Sequence, residues 1–235
     1  MKKKLVVFTG SGISAESGIP TFRINSDGLW ENYDVEEVCM AGCLEKNPEK
    51  VHEFYNMLRK KYGVAEPNDA HIALAELEND YDVTIITQNV DNLHEKAGSS
   101  NVLHLHGEIM KCQAEDESNL VMDIPVDENG EYNTYPDEEI NGHLVRPYIV
   151  MFGESVPNMD KANEIAREAD IFVIIGTSMQ VYPAASIVEA VTFGKPIYYI
   201  DPWASIQPFF PEIKLICEPA TKGVETLKKL LNEEV

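Results

Sequence analysis

Residues 102–108, Val-Leu-His-Leu-His-Gly-Glu, place His104 and His106 on one face of a strand-like run, with Gly107 just beyond the second. A histidine at a strand end, beside a glycine that admits a ligand, can serve as a general base near neutral pH. The other reading is a buried, hydrogen-bonded imidazole. A second stretch, TQNVDNLHEKAG at 87–98, gathers Gln88, Asn89 and Asp91 past the apolar run 83–86. Their donors and acceptors can read a carboxamide, or Asp91 simply caps a helix through Ala97.

A third stretch, TGSGISAESGIPTFR at 9–23, opens with Gly10-Ser-Gly12-Ile-Ser-Ala15, which fits G-x-G-x-x-A after the apolar run Leu5–Phe8. Such glycines let a backbone approach a pyrophosphate, and the following helix N-terminus adds N–H groups. A tight strand-to-helix turn is the alternative. Ser17-Gly18-Ile19-Pro20 then ends the helix within about two turns. No second strand ending in an acid follows, as a hydride-transferring dehydrogenase would need. Phe22 and Arg23 suit covering and clamping a dinucleotide. Finally, Gly176-Thr177-Ser178 and Asp201 close two further apolar runs, where small hydroxylated residues and a carboxylate suit phosphate or ribose.

The elements that must position these residues are legible as periodicity. Continuous Val- and Ile-rich runs at 5–8, 83–87, 102–105, 171–175 and 196–200 read as strands buried on both faces. Helical patterns alternate with them: Asn68 as cap of a helix to Asp80, then Met159–Ala169, Pro183–Phe193 and Thr221–Asn232. That alternation predicts an α/β, doubly wound parallel Rossmann-like sheet with ligands at the strands' carboxyl ends. Two stretches break the rhythm. Residues 24–65 hold one strong helix, Pro48–Tyr62. Residues 107–147 are acidic, with Asn129-Gly130 as a hairpin turn between LVMDIPV and EYNTY. Residues 1–23, 66–106 and 148–235 are thus assigned to the large dinucleotide-binding domain, and 24–65 with 107–147 to a small second module.

Bulk properties narrow the class. The 235 residues suit one large domain with an insertion. Nineteen basic against forty acidic residues give a net charge of −21, which argues against nucleic acid and anionic membrane surfaces. No apolar run reaches a membrane span. Four scattered cysteines without a secretion signal fit reduced thiols in a cytoplasm. The oligomeric state is not read from the sequence, and a monomer is compatible with it.

Together TGSGISAESGIPTFR, TQNVDNLHEKAGS, LHGE, RPYIVMFGE and IGTSMQVYPAAS, spanning residues 9–186, resemble the sirtuin family of NAD-dependent protein-lysine deacylases. The resemblance implies NAD as a consumed co-substrate in the cleft between domain and module. Gly10, Ser11, Gly12, Ile13 and Glu16 would lie along its phosphates and adenosine. Phe22 and Arg23 would cover the ribose–nicotinamide end, Ile19, Gln88, Asn89 and Asp91 would line the nicotinamide pocket, and Gly176, Thr177, Ser178 and Asp201 would serve phosphate or ribose. His106, with Asn89, would be catalytic: the acyl oxygen attacks the ribose carbon as nicotinamide leaves, giving an alkylamidate, and His106 takes a proton from the ribose hydroxyls. The acyl-lysine partner would lie extended between Phe152–Ser155 (Phe152, Gly153, Glu154) and Ser178–Tyr182 (Val181, Tyr182).

The chain departs from the family in four places. Ser11 stands for the usual alanine, and Thr21 for the aspartate of IPDFR. Of the two C-x-x-C pairs that hold a structural zinc, only Cys112 remains, with no cysteine from 113 to 216; Cys39 and Cys43 lie in the other insertion. No metal is therefore expected, and the Asn129-Gly130 hairpin is expected to organise the module. Members that prefer succinyl or malonyl lysine carry Tyr-x-x-Arg; here Tyr55 is followed by Leu58 at the arginine's place and Arg59 one residue on. Met57 and Leu58 favour neutral acyl groups, while Arg59, at i+4 from Tyr55, leaves an acid-binding pocket as the alternative. A mono-ADP-ribosyltransferase, an NAD hydrolase and a non-catalytic NAD sensor are the rival readings.

Overall fold

A computed structural model describes residues 2–21, 34–204 and 213–233. In chain order the elements are β1 (Lys4–Thr9), a 3-10 segment (Ser11–Ser17), α1 (Val35–Val38), α2 (Cys43–Lys46), α3 (Pro48–Gly63), α4 (Asp69–Glu76), β2 (Asp82–Thr87), α5 (Leu93–Lys96) and β3 (Val102–His104). There follow β4 (Gly107–Ala114), β5 (Val121–Asp123), β6 (Glu139–Ile140), β7 (His143–Ile149), α6 (Met159–Arg167), β8 (Ile171–Ile175), a 3-10 segment (Ala184–Ala190), β9 (Ile197–Ile200), β10 (Lys214–Ile216) and α7 (Ala220–Glu233).

Strand β1 shows why the first sheet forms. Its side chains alternate between two buried clusters: Leu5 and Val7 join the one that includes α4 and α7, Val6 and Phe8 the one that includes α6. A strand buried on both faces must be apolar throughout, so the run is continuous. Six strands pair in parallel in the order β10-β9-β8-β1-β2-β3. The chain winds one way from β1 to β3 and the other way from β8 to β10. The order reverses between β1 and β8, and the loops leaving those strands flank the crevice where doubly wound sheets bind ligands.

The second sheet is antiparallel, in the order β5-β4-β7-β6. Helix α3 packs on it. Phe54, Tyr55 and Leu58 share a buried cluster with Ile109, Ile149 and Met151.

Three local expectations change. Ser11–Ser17 and Ala184–Ala190 wind as 3-10 helix, and Gly18 ends the first of these at φ 82°. The turn at Asn129-Gly130 forms, with Gly130 N–H donating to Asp127 O (3.0 Å). However, EYNTY at 131–135 contains no strand, and 120–126 sends only Val121–Asp123 to pair with β4. The module is therefore not organised by that hairpin. Thr134 is instead fully buried and held by α3, whose His52, Asn56 and Arg59 all bond to it.

Candidate active site

Gly107, at φ +86°, turns the chain out of β3 against β7, where a Cβ would stand 2.1 Å from Tyr148 O. Only glycine fits there, and the turn fixes His106. The His106 carbonyl accepts from Val150 N–H (3.0 Å) and its Nδ1 lies 3.0 Å from Gln88 O. A carbonyl can only accept, so Nδ1 carries the proton and Nε2 is the free base. Burial holds this imidazole below its ordinary pKa of 6.5, despite the Gln88 hydrogen bond, so it is neutral at pH 7.

His104 shares the strand end but not the chemistry. Its Nδ1 bonds Asn89 O (2.9 Å) and its Nε2 Glu95 Oε1 (2.9 Å). Burial pushes its pKa down, but the Glu95 carboxylate, with the Asn89 carbonyl and Glu108, pushes it up, and the net shift is upward. It is the satisfied structural histidine of the pair.

Ser14, not singled out in the sequence, joins the two polar loops. Asn89 Nδ2 donates to Ser14 Oγ (3.1 Å) and Gly10 O (3.2 Å), and Ser14 Oγ donates to Asp91 Oδ2 (3.0 Å). Asp91 Oδ1 also accepts from Leu93 N–H (3.1 Å), the first N–H of α5, although the cap position itself is Asn92, so it meets part of the capping role weighed above while facing the cleft. Burial raises its carboxyl pKa, opposed by those two hydrogen bonds.

The glycines of the first loop have a further task. Gly12 N–H donates to Gly176 O (2.8 Å), and a Cβ on Gly12 would lie 2.6 Å from Gly176 Cα. A Cβ on Gly10 would meet Thr177 Cβ at 2.8 Å, and one on Gly176 would meet Ile13 N at 2.4 Å. The loops after β1 and β8 thus interlock backbone to backbone. Gln88 Nε2 ties the third loop to them through Thr177 Oγ1 (3.2 Å).

A cavity of about 440 Å³ opens above these loops. It is lined by Gly10, Ser11, Gly12, Glu16, Ile19, Gln88, Asn89, Asp91, His106, Gly176, Thr177, Ser178 and Asp201, by Phe152, Gly153, Glu154, Val181 and Tyr182, and from the module by Tyr55 and Leu58. Four expected residues are not among them. Ile13 is fully buried beneath the loop. Phe22 and Arg23 lie outside the described residues. Arg59 is turned away: Nε donates to Ile109 O (2.8 Å) and Nη1 to Asn56 Oδ1 (2.5 Å) and Thr134 Oγ1 (3.1 Å). The i+4 spacing that made it a neighbour of Tyr55 also put it on the adjacent helix face, toward β4.

Several contacts qualify individual expectations. Both Glu16 carboxylate oxygens are engaged by Thr221, from its N–H (3.0 Å) and Oγ1 (2.9 Å), at the start of α7. Asp201 Oδ1 accepts from Trp203 N–H (2.8 Å). Tyr55 O–H points at Cys39 Sγ (3.7 Å), whose thiol burial pushes up to about 11. The Phe152 backbone is fully paired, its N–H to Cys39 O and its C=O from Ala41 N–H, both 2.8 Å. A peptide strand cannot pair with Phe152 itself. Glu154 is clasped by Arg146 through Nη1 (2.9 Å) and Nη2 (3.2 Å). Cys39, and Met151 within the RPYIVMFGE segment, also line the cavity, as do Tyr62 and Trp203, which the sequence did not flag. Tyr62 and Trp203 carry no motif, and only packing brings them there.

The donor set fits a dinucleotide. Three polar loops converge at the switch point, a carboxylate stands at the end of β9, and the module side is apolar.

Residues 10–183 match the pattern of the Sir2 family. A relative from Bacteroides thetaiotaomicron, named NAD-dependent protein deacylase, is 46% identical over 233 residues, covering 97% of this chain and 98% of its own. One of the same name from Helicobacter pylori is 46% identical over 231 residues, covering 98% of each. A Sir2 homologue solved as an NAD complex superposes with a TM-score of 0.83 at 37% identity, covering 99% of this chain and 91% of its own. A Sir2 structure with a deacetylated peptide and 3′-O-acetyl-ADP-ribose gives 0.77 at 28% identity, covering 97% of this chain and 94% of its own. The interlocked glycine loops, the buried Asn89–Ser14–Asp91 chain and the tautomer-fixed His106 therefore stand on a shared scaffold, and the chain belongs to the Sir2 family.

Proposed function

We propose that this chain is an NAD-dependent protein-lysine deacylase, releasing free lysine, nicotinamide and O-acyl-ADP-ribose. The observation that carries the reading is His106. Its Nδ1–H is held by Gln88 O, so a neutral Nε2 base is available in a cavity that also meets all three polar loops. NAD, when bound, supplies an electrophilic ribose carbon as nicotinamide leaves. The chain's residues then have separable tasks. Asn89 and Asp91, fixed by Ser14, orient the nicotinamide end, and Ile19 keeps it dry. Gly10, Ser11, Gly12, Gly176, Thr177, Ser178 and Asp201 hold phosphates and ribose, and His106 accepts a ribose hydroxyl proton. Phe22 and Arg23 are assigned to covering NAD from the motif alone.

The acyl-lysine peptide lies extended between the segments 152–155 and 178–182. The acyl chain is neutral in this reading, because the described cavity lining contains no lysine or arginine and Arg59 is committed elsewhere. A buried carboxylate without a cation would be strongly disfavoured. The insertions 24–65 and 107–147 form one module without zinc. In support, Cys112 is buried with its Sγ on Met122 O (3.6 Å), and the sequence has no other cysteine from 113 to 216. Among those residues no helix is long and apolar enough to cross a membrane, and the free cysteines suit a reducing cytoplasm.

The test is to incubate the protein with NAD and acetyl-, longer-acyl- and succinyl-lysine peptides and identify products by mass spectrometry. Peptide-dependent O-acyl-ADP-ribose is expected. Nicotinamide release without peptide would mean an NAD hydrolase, and ADP-ribosylated protein a transferase. Binding of NAD without turnover would mean a sensor.

A further inference from the structure

Helix α3 carries two stripes of different chemistry, roughly a quarter turn apart at about 100° per residue. One stripe, Tyr55, Leu58 and Tyr62, lines the cavity. The other, His52, Asn56 and Arg59, closes on Thr134, a residue in a segment without regular secondary structure and fully removed from solvent. Asn56 pairs with both backbone groups of Thr134: Nδ2 donates to Thr134 O (2.9 Å), and Thr134 N–H donates to Asn56 Oδ1 (3.0 Å). The Thr134 hydroxyl meets His52 Nδ1 (2.9 Å) and Arg59 Nη1 (3.1 Å). Arg59 runs on to β4 through Ile109 O, and its buried Nη2 has no partner. At the rim, Lys60 pairs with Glu131 (2.7 Å).

We infer that Thr134 is a positioning residue for substrate: its docking sets the rotation of α3, and with it the placement of Tyr55 and Leu58 against the acyl chain. The physical ground is the cost of the alternative. Losing the Thr134 hydroxyl would take a partner from the buried His52 Nδ1 and would leave the buried Arg59 guanidinium, one Nη of which is already orphaned, with only Asn56 Oδ1 and Ile109 O. Any rotation of α3 that moved Tyr55 would break contacts on the Thr134 side. The loops that face NAD, at 10–12, 88–91 and 176–178, belong to the other sheet, and the described hydrogen bonds join them to this cluster only indirectly, where Ile109 N–H donates to Val90 O (2.8 Å). The effect should therefore be larger on the acyl substrate than on NAD. This inference rests on the deacylase reading.

Two measurements test it. In steady-state kinetics, Thr134→Val should raise KM for an acyl-lysine peptide by about fivefold or more, with a clearly smaller change in KM for NAD, and Thr134→Ser, which keeps the hydroxyl, should restore the wild-type value. Equal changes in both KM values, or no change in either, would overturn the inference. The second measurement uses the wild-type protein and so does not depend on a variant folding. Coupling is reciprocal, so an acyl-lysine peptide should slow amide hydrogen exchange across 131–138, about threefold or more, whereas the same peptide unacylated should not. Unchanged exchange there overturns the inference. Wild-type protein that releases no O-acyl-ADP-ribose would instead defeat the deacylase reading, which is a different outcome.

Discussion

His104 and His106 hand their Nδ1 protons to adjacent carbonyls of one loop, Asn89 O and Gln88 O, yet burial and neighbours move their pKa values in opposite directions. The difference is Glu95, which reaches only His104. His106→Ala should therefore lower deacylation by about 100-fold or more while NAD binding, measured calorimetrically, persists. The base form of His106 is lost on protonation, and its pKa lies below 6.5, so the acid limb of kcat should fall below pH 6.5. An acid limb at or above pH 7 would refute the assignment.

Three other histidines predict how stability depends on pH. His52 and His71 are pushed down to about 4 by burial, and His94 well below its ordinary value. Each folded pKa is depressed, so below pH 6.5 the unfolded chain binds more protons and stability declines as pH falls toward 4. The slope is about 1.4 kcal/mol per pH unit for each histidine. His104 opposes this, since its raised pKa contributes stability below pH 6.5 that is lost as pH rises through its folded value. Urea melts between pH 7.5 and 4.5 should show the net decline. His52→Gln should make it shallower.

Gly107→Ala forces a Cβ into Tyr148 O and a side chain into positive φ. Stability should drop by about 2–4 kcal/mol. Because His106 is the preceding residue, protein that remains folded should also lose about 100-fold in activity through misplacement of the base. An active, stable alanine variant would show that the turn is not fixed as described.

Leu58 lines the cavity three residues after Tyr55, where a guanidinium would face the acyl chain. Leu58→Arg should shift the ratio of succinyl to acetyl kcat/KM toward succinyl by about tenfold or more. If wild-type protein already prefers succinyl-lysine, the neutral pocket is wrong.

Elemental analysis of protein purified without added metal should find no stoichiometric zinc, and a chelator should leave both the melting temperature and deacylation unchanged. Where a structural zinc holds a module together, its removal unfolds it. Loss of structure on chelation would overturn the zinc-free reading.

Strands buried on both faces announced themselves through unbroken Val and Ile, and the loops after them through glycine and small polar residues. β4 and β7 did not. Pro147 interrupts the pattern of β7 although it sits in register with Cys112, and a bulge breaks the pairing between Gly107 and Cys112. Ser14 has no local signature, since its importance lies in Asn89 and Asp91, more than seventy residues away. Arg59 shows the limit of spacing arguments most clearly. Helical periodicity gave its neighbours along α3, but not which of two adjacent faces would meet the cavity.

Gly12 and Gly176 touch where neither could carry a Cβ. In most packed interfaces a larger residue on one side can be accommodated by a smaller one opposite. Here both partners are already the smallest residue available, so neither substitution has a compensating partner. Variation in this cleft is open to Leu58, Tyr62 or Tyr182, whose side chains can be exchanged singly, while the Gly12–Gly176 contact can only be kept or lost.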